Sequence, residues 1–568
     1  GGVVTPVKGL SLTANLGFMS DNTRSNYLYS PFGSASSVDG QVYVSSSRVF
    51  TVNTQYLGEY KTNFGDSRHS LDILAGFEMY KLKSQSLSGS NDHLFSPLIG
   101  ELNNADGTKS RQVSSATTDY MTEGILSRVQ YDYDGRYFVS GSFRRDASSR
   151  FAPGHRWGNF GSAGVAWLIS KESFMSDVEW VNMLKFKASY GLQGNDSLGS
   201  YFPYSDQYTH SYNEETGEYS LSLSYKGNDE LTWESSHSFN VGVDFELFNG
   251  YLNGSVEYFN RKTSDLLYYK DVPLSAGNPT GQYPVNVGSI RNYGAEVALD
   301  GKIISNKHVS WTWNANFSHY KNRILSLDAS VSENGIKGSN YIYKIGGSLY
   351  EAYMYKYAGV DKTTGQAMYY RKDKDENGNE YLTTTTDFDK ADQLECGSVL
   401  PKLYGGLGTS LSAYGVDFSF QLSYQLGGRY YDGTYQALMH TSSSTGTAWH
   451  KDALKAWTPE NTDTNVPRLD GSTAEGQSAI DRYLISSNYL SINNVTLGYT
   501  FPKKWTNAIR IAGLRVYVAG DNLAVFTARK GVDPRYSIGL GSYTSGSGLN
   551  SGSYSAMRNI TGGITLTF

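Results

Sequence analysis

The stretch Val309-Ser-Trp-Thr-Trp-Asn-Ala-Asn-Phe-Ser318 decides the fold, because apolar and polar side chains alternate along its whole length. One face carries Val309, Trp311, Trp313, Ala315 and Phe317, and the other carries hydroxyl and amide side chains. Successive side chains of a β-strand point to opposite faces of its sheet. The stretch therefore predicts a strand with one apolar face and one face in water.

The same alternation recurs along the chain. In residues 416–426, Val416, Phe418 and Phe420 alternate with Asp417, Ser419 and Gln421, and residues 184–191 and 239–246 repeat the pattern. About sixteen such strands are predicted, with starts near Leu10, Val49, Leu71, Ile125, Tyr137, Asn159, Leu184, Phe239, Leu252, Tyr293, Val309, Leu403, Val416, Val495, Leu514 and Ile560. The fold class predicted is all-β, with a large antiparallel sheet.

The amino-acid composition also favours an all-β protein and argues against several other classes of protein. The 568 residues include 46 Tyr and 61 Gly, with only 18% charged and 39% hydrophobic residues, which is typical of a large β-protein. No apolar run approaches the ~18–20 residues of a membrane-spanning helix. The formal net charge of −5 gives no electrostatic footprint for nucleic acid. A single cysteine, Cys396, excludes an internal disulfide framework and a cysteine-based zinc site.

The lengths of the connections favour a membrane barrel over a soluble all-β protein, which is the alternative for alternation alone. Short turns are predicted at Asp134-Gly135, Asn249-Gly250, 305–308 and Tyr414-Gly415, with somewhat longer ones at 61–69, 170–182 and 502–508. Long connections are predicted at 21–47, 85–122, 196–237, 323–401, 427–488 and 523–557. Short turns at one end and long loops at the other are typical of outer-membrane barrels, and an even strand count places both chain ends on the periplasmic side.

Eleven short segments stand out in order along the chain: SFRRDASSRF (142–151) with RWG (156–158), LKFKASYG (184–191) with GN (194–195), LTWE (231–234), NVGSIRNYGAE (286–296), YAGVD (357–361) with TG (364–365), WTPENT (457–462) with PR (467–468), DRYL (481–484), NVTLGY (494–499), LRVY (514–517), DNL (521–523) and KGVDP (530–534). In this order they resemble the SusC/RagA group of TonB-dependent outer-membrane transporters from Bacteroidetes. Each is weak alone, but together they cover the chain from about residue 142 to its end.

The resemblance implies a 22-stranded barrel with an N-terminal plug. Residues 1–568 would be the C-terminal part of this barrel, with the plug, the TonB box and about six strands upstream and absent. The implied function is active import of oligosaccharides, or peptides, across the outer membrane of a Gram-negative bacterium. The resemblance implies that this bacterium belongs to the Bacteroidetes. Implied partners are a SusD-like lipoprotein, TonB with ExbB and ExbD, and outer-membrane lipid, with no nucleic acid and no cofactor.

Two other functions stay open. A passive porin would be complete at sixteen strands, with a long loop such as 323–401 folded inward. A structural or secretion-associated barrel would bind protein partners without transport. Uptake of a solute that requires TonB would separate an importer from both.

No catalytic or metal motif stands out. The nine histidines lie at least ten residues apart, which excludes H-E-x-x-H, and Gly301-Lys302 continues into Ile303, which excludes a phosphate loop. The chain is predicted not to be an enzyme. Residues 373–378 resemble the start of a calcium loop, but position twelve is Thr384 instead of a bidentate glutamate. A plain Asn-Gly turn is the preferred interpretation, and no metal is predicted.

Candidate substrate contacts follow from the polar phase of the strands and from aromatic residues in the loops. The polar candidates are Lys185, Lys187, Asp244, Glu246, Asn314, Asn316, Asp417, Gln421, Gln425 and Arg515. The loop candidates are Tyr341, Tyr343, Trp449 and Trp457. Any water-facing barrel wall is polar, and loop aromatics also suit a protein lid, so both alternatives stay beside the substrate hypothesis. Tyr131, Tyr133, Tyr137, Trp311 and Trp313 are interpreted as an aromatic girdle.

Overall fold

A computed structural model of the chain describes residues 1–32, 40–105, 112–338, 340–439, 448–469, 479–508, 510–531, 533–536 and 556–568. The chain divides into two compact units. Unit 1 comprises Gly1–Trp167, Ala188–Phe239 and Thr263–Val287. Unit 2 comprises Leu168–Lys187, Asn240–Lys262 and Gly288–Phe568.

Strands dominate the described residues. In chain order they are β1 (Gly2–Val7), β2 (Leu10–Tyr29), β3 (Gln41–Phe64), β4 (His69–Asp92), β5 (Gln112–Tyr133), β6 (Tyr137–Ser148), β7 (Trp157–Leu168), β8 (Val181–Asn195), β9 (Gln207–Asn213), β10 (Glu218–Tyr225), β11 (Glu234–Leu247), β12 (Leu252–Ser264), β13 (Leu267–Asp271), β14 (Gln282–Asn286), β15 (Ser289–Ser305), β16 (Val309–Ser326), β17 (Ile336–Lys337), β18 (Ile342–Tyr343), β19 (Glu351–Tyr355), β20 (Tyr357–Val360), β21 (Ala367–Lys374), β22 (Glu380–Thr385), β23 (Gln393–Ser398), β24 (Leu403–Ala413), β25 (Val416–Leu426), β26 (Arg429–Tyr431), β27 (Leu484–Ser486), β28 (Tyr489–Thr500), β29 (Gly513–Thr527) and β30 (Asn559–Thr567). The described helices are short: α1 (Gly433–Met439), α2 (Lys503–Ala508) and several 3₁₀ turns. In the part of the chain that is described, no helix combines the length and the apolar character needed to cross a membrane.

One large antiparallel sheet contains seventeen of the described strands. Its members are β1–β8, β11, β12, β15, β16, β24, β25, β28, β29 and β30. In unit 1, β2 to β7 pair in sequence order, starting with Leu10 opposite Tyr60 on β2 and β3. In unit 2, β15, β16, β24, β25, β28, β29 and β30 pair in the same way.

The pairing register sorts apolar side chains onto one face in each unit. In unit 2, a single cross-strand row contains Trp311, Leu411, Phe418, Leu497 and Val518. The next row contains Trp313, Thr409, Phe420, Val495 and Gly520. Because side chains in such a row lie directly opposite one another, alternation along each strand becomes one continuous apolar face.

In unit 1, aromatic rings form a row beside the short turns. Phe64 stacks on His69 with ring centroids 4.8 Å apart, and Tyr133, Tyr137 and Trp167 continue the row. Amphipathic rings at one level of a sheet are typical of the girdle at a membrane interface. We call this edge of the sheet the turn end and the opposite edge the loop end.

The sixteen predicted strands are confirmed, and their tight turns have the expected backbone. Asp134 and Gly135 both have positive φ, of 57° and 59°, as the two central residues of a type I′ hairpin require. The strand Gly2–Val7 was not predicted, because GVVTPV has no polar alternation and contains a proline.

Some of the long connections are shorter in the structure than the sequence predicts. β2 continues to Tyr29 and β3 begins at Gln41, so most of 21–47 is strand, and β4 and β5 likewise take up much of 85–122. Here both faces are rich in Ser and Thr, so the alternation that marks a strand disappears although the backbone ladder continues. At 20–24 residues these strands exceed the ~9–11 residues that cross a bilayer. Of the predicted loop 523–557, residues up to Thr527 are strand, and 532 and 537–555 lie outside the described residues.

Replacement by arginine should affect stability differently at two neighbouring positions that lie on opposite faces of the sheet. We expect Phe420→Arg, on the apolar face near mid-strand, to destabilise the folded barrel by about 2–4 kcal/mol in lipid. Ser419→Arg, one residue away on the polar face, should change stability by less than about 1 kcal/mol. Urea unfolding of the full-length protein in lipid vesicles, followed by heat-modifiable gel mobility, measures both. Equal losses would contradict the assignment of faces.

Candidate functional site

A row of polar side chains crosses the sheet of unit 2. The register places Asp300 opposite Asn314, Gly408 opposite Gln421, and Asn494 opposite Asp521, in one continuous line through β15, β16, β24, β25, β28 and β29. The Asn494 amide donates to the Asp521 carboxylate at 2.7 Å. This polar row offers amide and carboxylate groups to a polar solute at one level of the sheet.

Glycine makes room in the middle of the polar row. A Cβ added at Gly408 would lie 2.4 Å from Nε2 of Gln421 and 2.7 Å from Oδ1 of Asn314. Because no side chain occupies this position, the two predicted amides converge over the glycine. Asn316 lies two residues further along β16, where its Oδ1 accepts from the backbone N–H of Gly406 at 2.9 Å.

Four of the predicted charged candidates form ion pairs within unit 2. Lys187 Nζ lies 3.0 Å from Asp244 and 3.1 Å from Glu257. The Arg515 guanidinium donates two hydrogen bonds to Asp417, one of them from Nε at 3.0 Å. Their charges are therefore compensated inside the protein, where Lys187 connects β8 to β11 and β12, and the Arg515–Asp417 pair connects β29 to β25 across β28.

Three further candidates occupy other surroundings. Lys185 and Glu246 lie at the turn end. Lys185 is close to the start of β8, and Glu246 is close to the end of β11. Gln425 lies at the loop end and is only 2% exposed. Its Nε2 donates to Oγ of Ser487 at 2.8 Å and to the Ser487 carbonyl at 3.2 Å. Gln425 therefore anchors the segment that follows β25.

The long connections of unit 2 have a core of their own. The described residues of segments 336–398 and 429–484, which we call the loop layer, include nine buried residues that pack together: Ala352, Met354, Tyr369, Tyr431, Met439, Ala453, Ile480, Tyr483 and Leu484. The buried Asp432 carboxylate accepts from Arg529 at 2.6 Å, and the Arg529 guanidinium lies 3.6 Å from the ring centre of Tyr435. This charge-assisted contact fastens the loop layer to the end of β29.

The predicted loop aromatics differ in their surroundings. Tyr341 and Tyr343 stack with centroids 4.6 Å apart, and Tyr341 also packs against the core of the loop layer. Trp457 Nε1 donates to the carbonyl of Lys362, and its ring covers Gly365. Trp449 is 46% exposed. Among these four, Trp449 presents the ring most available to a ligand.

The segment that resembles a calcium loop is a closed hairpin turn. Asp375 accepts from the backbone N–H of Asn377 at 2.9 Å and of Asn379 at 2.8 Å, and from the Asn379 amide. These bonds lower the pKa of Asp375, and the Arg371 guanidinium, followed by the Thr383 hydroxyl, lowers the pKa of Asp373. The carboxylates are thus engaged in the turn between β21 and β22. Within the described ranges, no three His, Cys, Asp or Glu side chains are grouped as a metal site requires.

In unit 1, several of the family-like segments converge on Trp233. Its Nε1 donates to the carbonyl of Arg156 at 2.8 Å, and its ring lies 5.5 Å from the buried Phe151. A Cβ on Gly194 would collide with Phe160 and approach Trp233 to 2.9 Å. Segments 142–151, 156–158, 194–195 and 231–234 therefore share one packing unit, the rim cluster.

A polar network adjoins these segments. Asp196 accepts from Tyr120 at 2.8 Å and from Ser148 at 2.6 Å, and Arg150 lies 3.1 Å from its second oxygen. The Arg150 guanidinium also lies between the rings of Tyr120 and Tyr201, at 4.6 and 4.8 Å. The Arg150 charge is therefore paired with the Asp196 carboxylate and shielded by two aromatic rings, which indicates a structural role.

The sequence and fold of this chain are similar to those of known proteins. The family model described as TonB dependent receptor-like, beta-barrel matches residues 6–523. The chain belongs to this family. Its large antiparallel sheet is that of a TonB-dependent receptor barrel, and the family is one of outer-membrane nutrient importers in Gram-negative bacteria.

Relatives with names are found among Bacteroidetes. "TonB-dependent receptor P3" of Formosa agariphila is 26% identical over 99% of this chain and 57% of its own length. "TonB-dependent receptor SusC" of Bacteroides thetaiotaomicron is 28% identical over 76% of this chain and 43% of its own length. The chain therefore spans about half the length of the curated relatives it matches.

Solved structures agree with the expected resemblance. The "RagAB peptide transporter" structure is 28% identical, superposes with a TM-score of 0.85, and covers 100% of this chain and 61% of the other. The "RagAB peptide importer in the 'open-open' state" gives the same TM-score at 27% identity. The SusC/RagA resemblance is confirmed.

Sequence reasoning missed part of the polar row. Asp300, Asn494 and Asp521 belong to it, and Asn253 extends it by donating to Asp300 at 3.0 Å. Period-two phase carried through β15, β28 and β29 would have placed the first three on the polar face. Their common level was not visible, because it depends on the pairing register between strands and, for Asp300, on a register shift at Lys302/Ile304.

Two glutamines on the same strand face should respond differently to truncation. Gln425→Ala leaves the buried Ser487 groups without their partner, and we expect a loss of about 1–3 kcal/mol. Gln421→Ala, at an exposed position of the polar row, should cost less than about 0.5 kcal/mol. Thermal unfolding of the full-length protein, with limited proteolysis of residues 427–488, measures the difference. A stable Gln425→Ala variant with a protected loop would refute the anchoring role.

Proposed function

We propose that the chain forms the C-terminal barrel part of a TonB-dependent importer that takes up oligosaccharides, or peptides, across the outer membrane. The observation that carries this proposal is the whole-chain superposition on the RagAB peptide transporter, supported by the identity with SusC. Membership of the TonB-dependent receptor family favours active import over a passive porin or a structural barrel.

The proposed domain organisation places a plug and the remaining strands outside residues 1–568. The supporting fact is that this chain spans only 57% of one curated relative and 61% of the RagAB transporter chain. TonB, driven by ExbB and ExbD, would pull on that plug. The partner at the loop end would be a SusD-like lipoprotein acting as a lid.

The proposed substrate class is a polar solute that carries hydroxyl or peptide groups. The polar row supplies amides from Asn314, Gln421 and Asn494 beside the carboxylates of Asp300 and Asp521. Lys187 and Arg515 already have internal counter-ions. Amides recognise hydroxyl and peptide groups equally well, because they donate and accept hydrogen bonds. Oligosaccharides fit this wall, and the similarity to RagAB favours a peptide as the second candidate.

The loop layer suits capture of such a solute. Its buried core and the Arg529–Asp432 contact hold the surrounding segments in place without ligand. A preorganised surface binds with less loss of conformational entropy. The exposed ring of Trp449 would stack on a sugar face or an apolar peptide side chain, while the lid would cover the solute.

The importer proposal predicts growth that requires TonB. Deleting the gene in its native bacterium should abolish growth on one class of oligosaccharide or peptide, and deleting tonB should have the same effect. Growth on monosaccharides and free amino acids is the control. Uptake that survives tonB deletion would favour the porin, and no growth defect on any solute would favour the structural barrel.

Contact residues can be tested once the solute is known. We expect Trp449→Ala and the pair Asn314→Ala with Asn494→Ala each to weaken binding by about 5- to 20-fold, as ~1–2 kcal/mol per lost stacking or hydrogen-bond set implies. Calorimetry on the purified full-length complex measures this. Asn507→Ala, at an exposed position in α2, is the control and should bind normally. Unchanged affinity in all variants would remove these residues from the binding site.

A further inference from the structure

A cavity in unit 2 lies where β16 extends beyond its pairing with β24. The pairing reaches only as far as Ser318, whereas β16 continues to Ser326. Beyond Ser318, segments 346–351 and 396–402 take the place of β24 and, together with β16, enclose a cavity of about 800 Å³. A volume of about 300–1,000 Å³ is typical of pockets that hold small ligands.

Both phases of β16 line this cavity, because it lies at the edge of the strand and not on one face of the sheet. Lys321 and Arg323 have the odd phase of β16, and Tyr320 and Asn322 have the even phase. The register of β16 with β24, continued by two residues, places Lys402 opposite Tyr320 on the polar face. The cavity is therefore accessible from the polar face, along which a solute in transit would pass.

Positive charge predominates in the lining of the cavity. Among the described residues that line it, the side chains with a permanent charge or a carboxyl group are Lys321, Arg323, Lys402, Arg429 and Glu351. In the part of the chain that the structure describes, none of the four cationic side chains takes part in an ion pair or a hydrogen bond. Arg429 interacts electrostatically with Asp481, so Lys321, Arg323 and Lys402 are the cations left for an external anion.

The carboxyl group of Glu351 offsets only part of this charge. It accepts from the backbone N–H of Gly397, while burial, followed by the nearby Glu395, raises its pKa. Glu395 is itself paired with Lys344, whose Nζ lies 2.8 Å from its carboxylate. The lining therefore keeps a positive potential that attracts anions.

Glycines keep the cavity open at the end of β25. Gly427 and Gly428 have φ of 78° and 81°, a left-handed conformation that residues with a side chain rarely adopt. A Cβ on Gly428 would lie 2.7 Å from the carbonyl oxygen of Val399 and 2.8 Å from Oγ of Ser487. This part of the wall is therefore built from backbone, which leaves the volume free for a ligand.

We propose that this cavity binds a carboxylate group of the imported solute. The ammonium groups of Lys321 and Lys402 and the guanidinium of Arg323 would make charge-assisted hydrogen bonds to its oxygens. A cavity of this volume suits one ligand group better than the broad surface of a protein partner. The carboxylate would come from an acidic sugar or from a peptide. The proposal rests on the importer function proposed above and narrows its solute class to acidic molecules.

Two matched pairs of probes test the proposal on the purified full-length protein. Trigalacturonate is compared with its methyl ester, and triglutamate with triglutamine, both peptides having capped ends. We expect calorimetry to show at least one acidic probe binding at least about 10-fold more tightly than its neutral counterpart, because only the acidic probe pairs with the cations.

Variants connect this preference to the cavity. Lys321→Gln with Arg323→Gln and Lys402→Gln should weaken binding of the acidic probe at least about 10-fold, since each cation contributes a charge-assisted contact. The matched control removes three exposed lysines at the turn end, as Lys307→Gln with Lys503→Gln and Lys504→Gln. It should bind as the unmodified protein does. If the triple variant is unstable, the single variant Lys402→Gln and the weakening of binding by added salt give the same decision.

The pattern of binding identifies the source of the carboxylate. Binding of trigalacturonate alone indicates an acidic sugar, binding of triglutamate alone indicates a peptide, and binding of both indicates that the carboxylate is recognised by itself. The proposal is overturned if neither acidic probe binds more tightly than its neutral counterpart, or if the triple variant binds the acidic probe fully. Full binding together with loss of a co-purifying surface lipoprotein would assign the cations to a protein interface instead.

Failure of this proposal and failure of the importer proposal are distinguishable. Growth that requires TonB, without a preference for acidic probes, removes only the carboxylate site. A preference for acidic probes that depends on the three cations, without any requirement for TonB, removes only the importer.

Discussion

The structure depends on a backbone ladder that leaves no polar group unpaired inside a membrane. In hydrocarbon an unsatisfied N–H or C=O costs several kcal/mol, so strands can cross only as paired neighbours. β16, β24, β25, β28 and β29 meet this requirement with continuous antiparallel registers. Once register is fixed, the odd-numbered residues of β16 from Val309 to Phe317 carry apolar side chains to one face, and the even-numbered residues between them carry polar side chains to the other.

The residues that carry the family resemblance have mainly structural roles. Trp233, Phe151 and Gly194 pack into the rim cluster, and Arg150 is enclosed by Asp196 and two tyrosine rings. These contacts hold together chain segments that are far apart in sequence. A resemblance built on such residues therefore identifies the scaffold.

Strand number and phase could be predicted from the sequence, because period-two alternation is local. What could not be predicted depends on contacts between distant segments. The outer half of β3 and β4 lacks the apolar–polar alternation of a strand, although its pairing continues. The core of the loop layer joins Met354 to Ile480 and Tyr483, across more than 120 residues. The shared level of Asn314, Gln421 and Asn494 is set by the pairing register of β16, β24, β25 and β28, which are far apart in sequence.

The two faces of the sheet in unit 2 differ in how their charged side chains are paired. On the polar face, Lys187 and Arg515 are paired with carboxylates of the protein, and the carboxylates of Asp300 and Asp521 in the polar row accept from amides. On the opposite face, Lys321 and Arg323 follow the apolar residues of β16 in the same phase, and no ion pair of their side chains occurs within the described residues. Two like charges this close repel one another, and water and dissolved ions reduce that repulsion at an exposed position. Charge on the polar face is therefore paired within the protein, whereas the cations beyond the apolar residues of β16 are left to the solvent.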